Sequence, residues 1–191
     1  MDEELRSLTE RLRQESGASA AYDRLVATGD LDELAEVLVA PGQPLWAREL
    51  AAFRLGLARD RRAFESLVLL LNHRDPERCV SAAHALARLG DPRTARAAAA
   101  LATNELRVAY ALHPVRLLVE LRAPEAVPAL ITTLERRLRP HDPHRRVALA
   151  CVDGLGALGD ARARQVLNEA LAHPTLAEAA VRALALIPRQ R

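Results

Sequence analysis

The densest chemistry in this chain of 191 residues lies in one short stretch, residues 135–146 (ERRLRPHDPHRR). Arg136, Arg137, Arg139, Arg145 and Arg146 fall within it, with His141, Asp142 and His144 among them. Guanidinium groups at this density suit phosphates or acidic partners, because each can make paired, charge-assisted hydrogen bonds. The stretch is therefore a candidate anion-binding loop. No aromatic residue lies inside it to stack on bases, which argues against single-stranded nucleic acid. His73, His141, His144 and His173 all fall in or beside predicted turns, and His141 with His144 are the best candidates for a zinc site. Asp142, directly before Pro143, is better explained as a helix cap, and no cysteine joins the group, so no metal is expected. Catalytic signatures are missing as well: Gly-x-Ser-x-Gly, a phosphate-binding glycine loop, paired metal-binding histidines on a helix, and Cys-x-x-Cys. The five Ser have no evident base partner. The expectation is a non-enzyme without a cofactor.

These residues must be positioned by a repeated element. An apolar, Ala-rich phrase ending in a turn recurs five times: 21–30 (AYDRLVATGD), 47–60 (ARELAAFRLGLARD), 78–91 (RCVSAAHALARLGD), 110–123 (YALHPVRLLVELRA) and 147–160 (VALACVDGLGALGD). The turn residues Asp30, Asp60, Asp91, Ala123 and Asp160 are 30, 31, 32 and 37 residues apart. A period of this size marks a stacked repeat protein, in which no unit buries its apolar face alone. The chain holds 38 Ala and 34 Leu against 2 Ile, 2 Phe, 2 Tyr and 1 Trp. Strong helix formers dominate and strand formers are scarce, so the fold class is all-α. The pattern predicts twelve helices, at 2–14, 18–28, 31–39, 44–58, 61–72, 76–89, 92–103, 106–121, 124–138, 143–158, 161–172 and 175–187. Residues 1–17 form an N-terminal capping helix and 18–187 the repeats of a single domain spanning 1–191.

Turn chemistry supports these bounds. Gly29, Gly90 and Gly159 can adopt the left-handed conformation that ends a helix. Asp30, Asp91 and Asp160 can accept hydrogen bonds from the free N–H groups of the next helix, and Asp75-Pro76 and Asp142-Pro143 repeat the device. Thr175 with Glu178 suggests a capping box. Pro114 should kink or split the fourth copy, and Trp46 is expected in the core.

Residues 147–167 (VALACVDGLGALGDARARQVL), 78–95 and 123–134 (APEAVPALITTL) resemble HEAT-like repeats of the phycobilisome-lyase type. That pattern is an Ala-rich helix, Leu-Gly-x-Leu-Gly-Asp, then Pro-x-Ala-x-x-x-Leu, and the likeness covers most of 18–187. Departures are Arg59 and Arg122 at the turn Gly and Ala123 at the turn Asp. The resemblance implies an α-solenoid, a superhelical stack of five to six helical hairpins whose second helices line a concave surface. On those helices, the position seven residues before the turn holds Asp23, Phe53, His84, Arg116 and Asp153. This column varies while its neighbours stay small or apolar, which marks a solvent face. Arg88 and Glu120 extend the stripe by one helical turn. Together they make a candidate partner-binding surface.

All 27 basic residues are Arg, and the net charge is +2. Residues 1–36 carry ten acids against four Arg, and 37–191 carry fifteen against 23, so the N-terminal part is acidic. Such asymmetry orients a partner or keeps a solenoid end solvated. No secretory signal or membrane span is evident, and Cys79 and Cys151 fall inside repeated helices as small buried groups. The expectation is a cytoplasmic bacterial scaffold or adaptor for a protein partner, away from the membrane. A bilin-lyase-like subunit and a DNA- or phosphate-binding solenoid are the alternatives, nucleic acid entering through the Arg loop. The last helix is apolar at Leu176, Val181, Leu184, Leu186 and Ile187. It should be capped by residues 189–191 in a monomer or buried in a homodimer.

Overall fold

Four of the five repeat turns are set by an aspartate, and Ala123 stands at the other. In the computed structural model, which describes residues 3–139 and 141–188, Asp30 accepts from the backbone N–H of Asp32 and Asp60 from that of Arg62. Asp75 accepts from Glu77, Asp91 from Arg93 and Asp160 from Arg162. Each carboxylate satisfies an N–H that the helix leaves without a partner. Among the described residues every regular element is helical, and no strand occurs.

The chain divides into two units, 1–94 and 95–191. The first contains α1 (Glu3–Glu15), α2 (Ala20–Ala27), α3 (Leu31–Val39), α4 (Leu45–Leu57), α5 (Phe64–Leu71) and α6 (Pro76–Leu89). At its centre α4 packs against α1, α2, α3, α5 and α6. α7 (Arg93–Ala102) spans the boundary. The second unit continues with α8 (Leu112–Leu121), α9 (Ala126–Arg137), α10 (Arg145–Leu158), α11 (Arg164–Ala170) and α12 (Ala177–Leu186). Here α10 is central, packing against α8, α9 and α12. Within each unit alternate helices lie side by side, α4 on α6 and α8 on α10 on α12.

Small residues permit this stacking. A Cβ on Gly56 would lie 2.9 Å from Cβ of Ala85, and one on Gly156 would lie 2.7 Å from Cα of Ala183. These contacts are closer than van der Waals packing allows, so α4 reaches α6, and α10 reaches α12, only because glycine stands there.

Several local expectations are corrected. Gly90 and Gly159 are left-handed (φ 65° and 69°), but Gly29 is not. α2 ends instead at Thr28 in extended conformation, with Arg54 donating to the carbonyls of Leu25, Val26 and Thr28. Arg59 and Arg122, standing where other copies have Gly, adopt the left-handed conformation all the same (φ 60° and 49°). The helix expected over 106–121 is two elements, a 3-10 segment Glu105–Tyr110 and α8. Pro114 sits in the first turn of α8, where its missing N–H breaks no bond. α12 starts after Leu176 without a side-chain cap, so Thr175 forms no capping box, and Glu178 pairs with Arg182 instead. Trp46 is half-buried against Tyr22. On α12, Val181 and Leu186 are exposed, whereas Leu176 and Ile187 are buried. The suggested cap at residues 189–191 lies outside the described residues.

Candidate binding groove

α8 and α10 carry their surface stripes at helical spacing. On α8 the stripe is Leu112, Arg116 and Val119; on α10 it is Arg146, Leu149 and Ala150, Asp153 and Ala157. Residues three or four apart share a face, so the two stripes meet as the walls of one groove. Its volume is about 440 Å³. The floor is Gly154, which lacks the Cβ that would run into Cγ2 of Val119 and lie 2.8 Å from Cδ2 of Leu130. The small residue therefore lets α10 approach α8 and α9 closely beneath the groove.

The groove is apolar below and charged along its rim. Arg116, Arg146 and Asp153 are exposed, and no hydrogen bond or ion pair with another described residue engages their side chains. The two guanidiniums add a positive field to the groove. His113, half-buried beside it, is held below the usual imidazole range, first by burial and then by Arg116 and Arg146. It is therefore neutral near pH 7 and adds no charge.

No family model matches the chain, and no curated protein matches it. The groove's own chemistry must therefore carry the functional reading.

Of the stripe expected from the sequence, Arg116 and Asp153 meet in this groove. Glu120 is exposed on α8 but does not line it. Asp23 is exposed on α2 and Arg88 on α6, both in the first unit. Phe53 is a correction: it is 1 % exposed, stacked on half-buried His84 with ring centroids 5.9 Å apart. Because α4 is enclosed by five helices, its supposed solvent stripe is core.

The Arg-rich stretch is not one cluster. Arg136, in the last turn of α9, pairs with Glu105 at 3.0 Å and donates to the Thr103 carbonyl. Arg137 pairs with Asp142 at 3.0 Å, both largely buried. Arg146 turns to the groove, while Arg139 and Arg145 line a separate cavity. Asp142 also accepts from the His144 N–H, which accounts for both its oxygens. Among the described residues no group of three or more His, Cys, Asp or Glu is placed to hold a metal, and no helix is long and apolar enough to cross a membrane.

Two further features were not read from the sequence. In the first unit Glu49, 1 % exposed, bridges Arg11 and Arg78 and accepts from Ser81 Oγ at 3.1 Å. Glu15 also pairs with both arginines. This network ties α1 to α4 and α6. Its signal was a charged residue, Glu49 in one copy and Arg78 in the next, at positions where the neighbouring copies are apolar. The second feature is an Asp-x-Arg clasp at three turns. Asp60, Asp91 and Asp160 each take a backbone N–H and the guanidinium of the Arg two residues on. The guanidinium hydrogen bond holds each carboxyl below its usual range. The buried thiol of Cys151 is pushed up to about 12 by desolvation, so it is unreactive packing.

Proposed function

We propose that this chain is a HEAT-like α-solenoid adaptor that grips a segment of another protein in the groove between α8 and α10. The observation that carries the reading is an apolar trough whose rim holds two guanidiniums that find no partner among the described residues. Arginine in a bidentate fork selects carboxylates, and a hollow floored by glycine and alanine accepts one apolar side chain. The preferred segment has a Leu- or Phe-like anchor with Asp or Glu toward Arg116 and Arg146. Asp153 opposes acid at its own position and so fixes direction, since like charges placed together are penalised. Support for the solenoid reading is the side-by-side packing of alternate helices and the repeat period. The role is binding rather than catalysis.

The test is selection of displayed random peptides on the whole protein. Winners should be enriched in an apolar residue flanked by acids. They should lose at least about tenfold in affinity to the Arg116→Glu/Arg146→Glu variant, as expected when paired charges are reversed. Arg88→Glu should change nothing. Winners without acidic bias that bind the double variant equally would sink the proposal.

A further inference from the structure

A second cavity in the same unit has a different chemistry. It measures about 400 Å³, and Arg139, His141, Arg145 and His173 line it. These side chains come from three places: the segment after α9, the first turn of α10, and the turn between α11 and α12. The carboxylate lining the cavity, Asp142, has its two oxygens committed to Arg137 and to the His144 N–H. Arg139 and Arg145 are exposed, and neither guanidinium makes a hydrogen bond or ion pair with another described residue. That sets them apart from Arg54, Arg62, Arg93, Arg136, Arg137 and Arg162, each held by carbonyls or carboxylates of its own unit. The 14-residue helix α10 also starts here without a side-chain cap, adding its positive end to the field.

We propose that this cavity binds the phosphate group of a small phosphorylated molecule. Two guanidiniums and two imidazoles offer donors in several directions, which matches a tetrahedral dianion better than a planar carboxylate. The cavity is several times larger than a phosphate ion and lies within the usual range for small-molecule sites. Leu176 and Pro174 form an apolar side wall and Thr175 contributes a hydroxyl. The ligand therefore extends past its phosphate into the cavity. This site shares no lining residue with the α8–α10 groove, so failure of one proposal leaves the other standing.

Calorimetric titration of the whole protein with ribose 5-phosphate, inorganic phosphate and ribose tests the assignment. Ribose 5-phosphate should bind at least about tenfold more tightly than phosphate, and ribose should not bind. Arg139→Gln/Arg145→Gln should lose the binding with an unchanged melting temperature, and His173→Gln should weaken it. Arg136→Gln, outside the cavity, should leave it intact. Absence of binding, equal affinity for bare phosphate, or retention by the double variant would overturn the proposal. Tighter binding of a phosphoserine peptide than of any small phosphate would overturn the small-molecule assignment in favour of a protein ligand.

Discussion

Replacing Gly156 by alanine should destabilise the protein, although the local preference of the helix points the other way. In an open helix interior, alanine is better than glycine by about 1 kcal/mol. At Gly156 the added Cβ would lie 2.7 Å from Cα and 2.8 Å from Cβ of Ala183. The obstacle is the backbone of α12, which cannot rotate aside as a side chain can, so the whole helix must move away. Overpacking of this kind costs about 1–3 kcal/mol, and a backbone obstacle belongs at the upper end. The net expectation is a loss of about 1–2 kcal/mol. Gly154 makes a useful comparison, because its obstacles are the side chains of Val119 and Leu130. Alanine there should also destabilise, because stiff Val119 and buried Leu130 must both give way, and the displaced Val119 should reshape the groove it lines. Urea melts of both variants and the wild type measure the differences directly. A Gly156→Ala protein as stable as the wild type, or more stable, would show that α10 and α12 are not in the close contact described here.

Three other perturbations separate the remaining claims. Ala123 stands where Asp60, Asp91 and Asp160 stand, its carbonyl accepting from the N–H three residues on, at Ala126. Ala123→Asp should therefore add about 1 kcal/mol as a cap, and Ala123→Asp/Glu125→Arg should complete the clasp and exceed it in a thermal melt. Because the carboxyls of Asp60, Asp91 and Asp160 sit below their usual range, the unfolded chain takes up protons first as acid is added. Their contribution is complete above about pH 4 and is lost as pH falls through the lower folded values. Urea midpoints across that window should fall steeply for the wild type and less steeply for Asp91→Asn. Glu49→Ala leaves Arg78, 7 % exposed, without its most buried partner and should cost about 3 kcal/mol or more, whereas Glu77→Ala on the exposed edge of the network should change the melt little.

Helix positions were legible because two signals agree at most boundaries, the apolar period and an Asp-led turn. That is why the expected bounds fall within a few residues of the observed ones from α3 to α7. Gly29 shows where the agreement fails: the residue type permits a left-handed turn, but an arginine from α4 already satisfies the carbonyls at that helix end. Phe53 fails for a tertiary reason. A solvent stripe inferred from one helix cannot reveal that five neighbours enclose it. Arg116 and Asp153 were placed correctly on a surface, yet the hollow between them exists only because α8 packs beside α10, which no single stripe records. The Arg-rich stretch looked like one site because its residues are adjacent in sequence. They lie at the end of one helix and the start of another, so Arg137, Arg139 and Arg145 come together at one cavity while Arg136 and Arg146 turn elsewhere.

The most direct measurement is amide chemical-shift mapping on the full-length protein with a selected acidic-flanked peptide. The peptide should shift resonances of α8 and α10 around Arg116, Arg146, Asp153 and Gly154, while α2, α6 and the Arg139–Arg145 cavity stay still. Shifts centred on any of those other surfaces, or none at a peptide concentration that saturates binding, would contradict the assignment of the α8–α10 groove as the partner site.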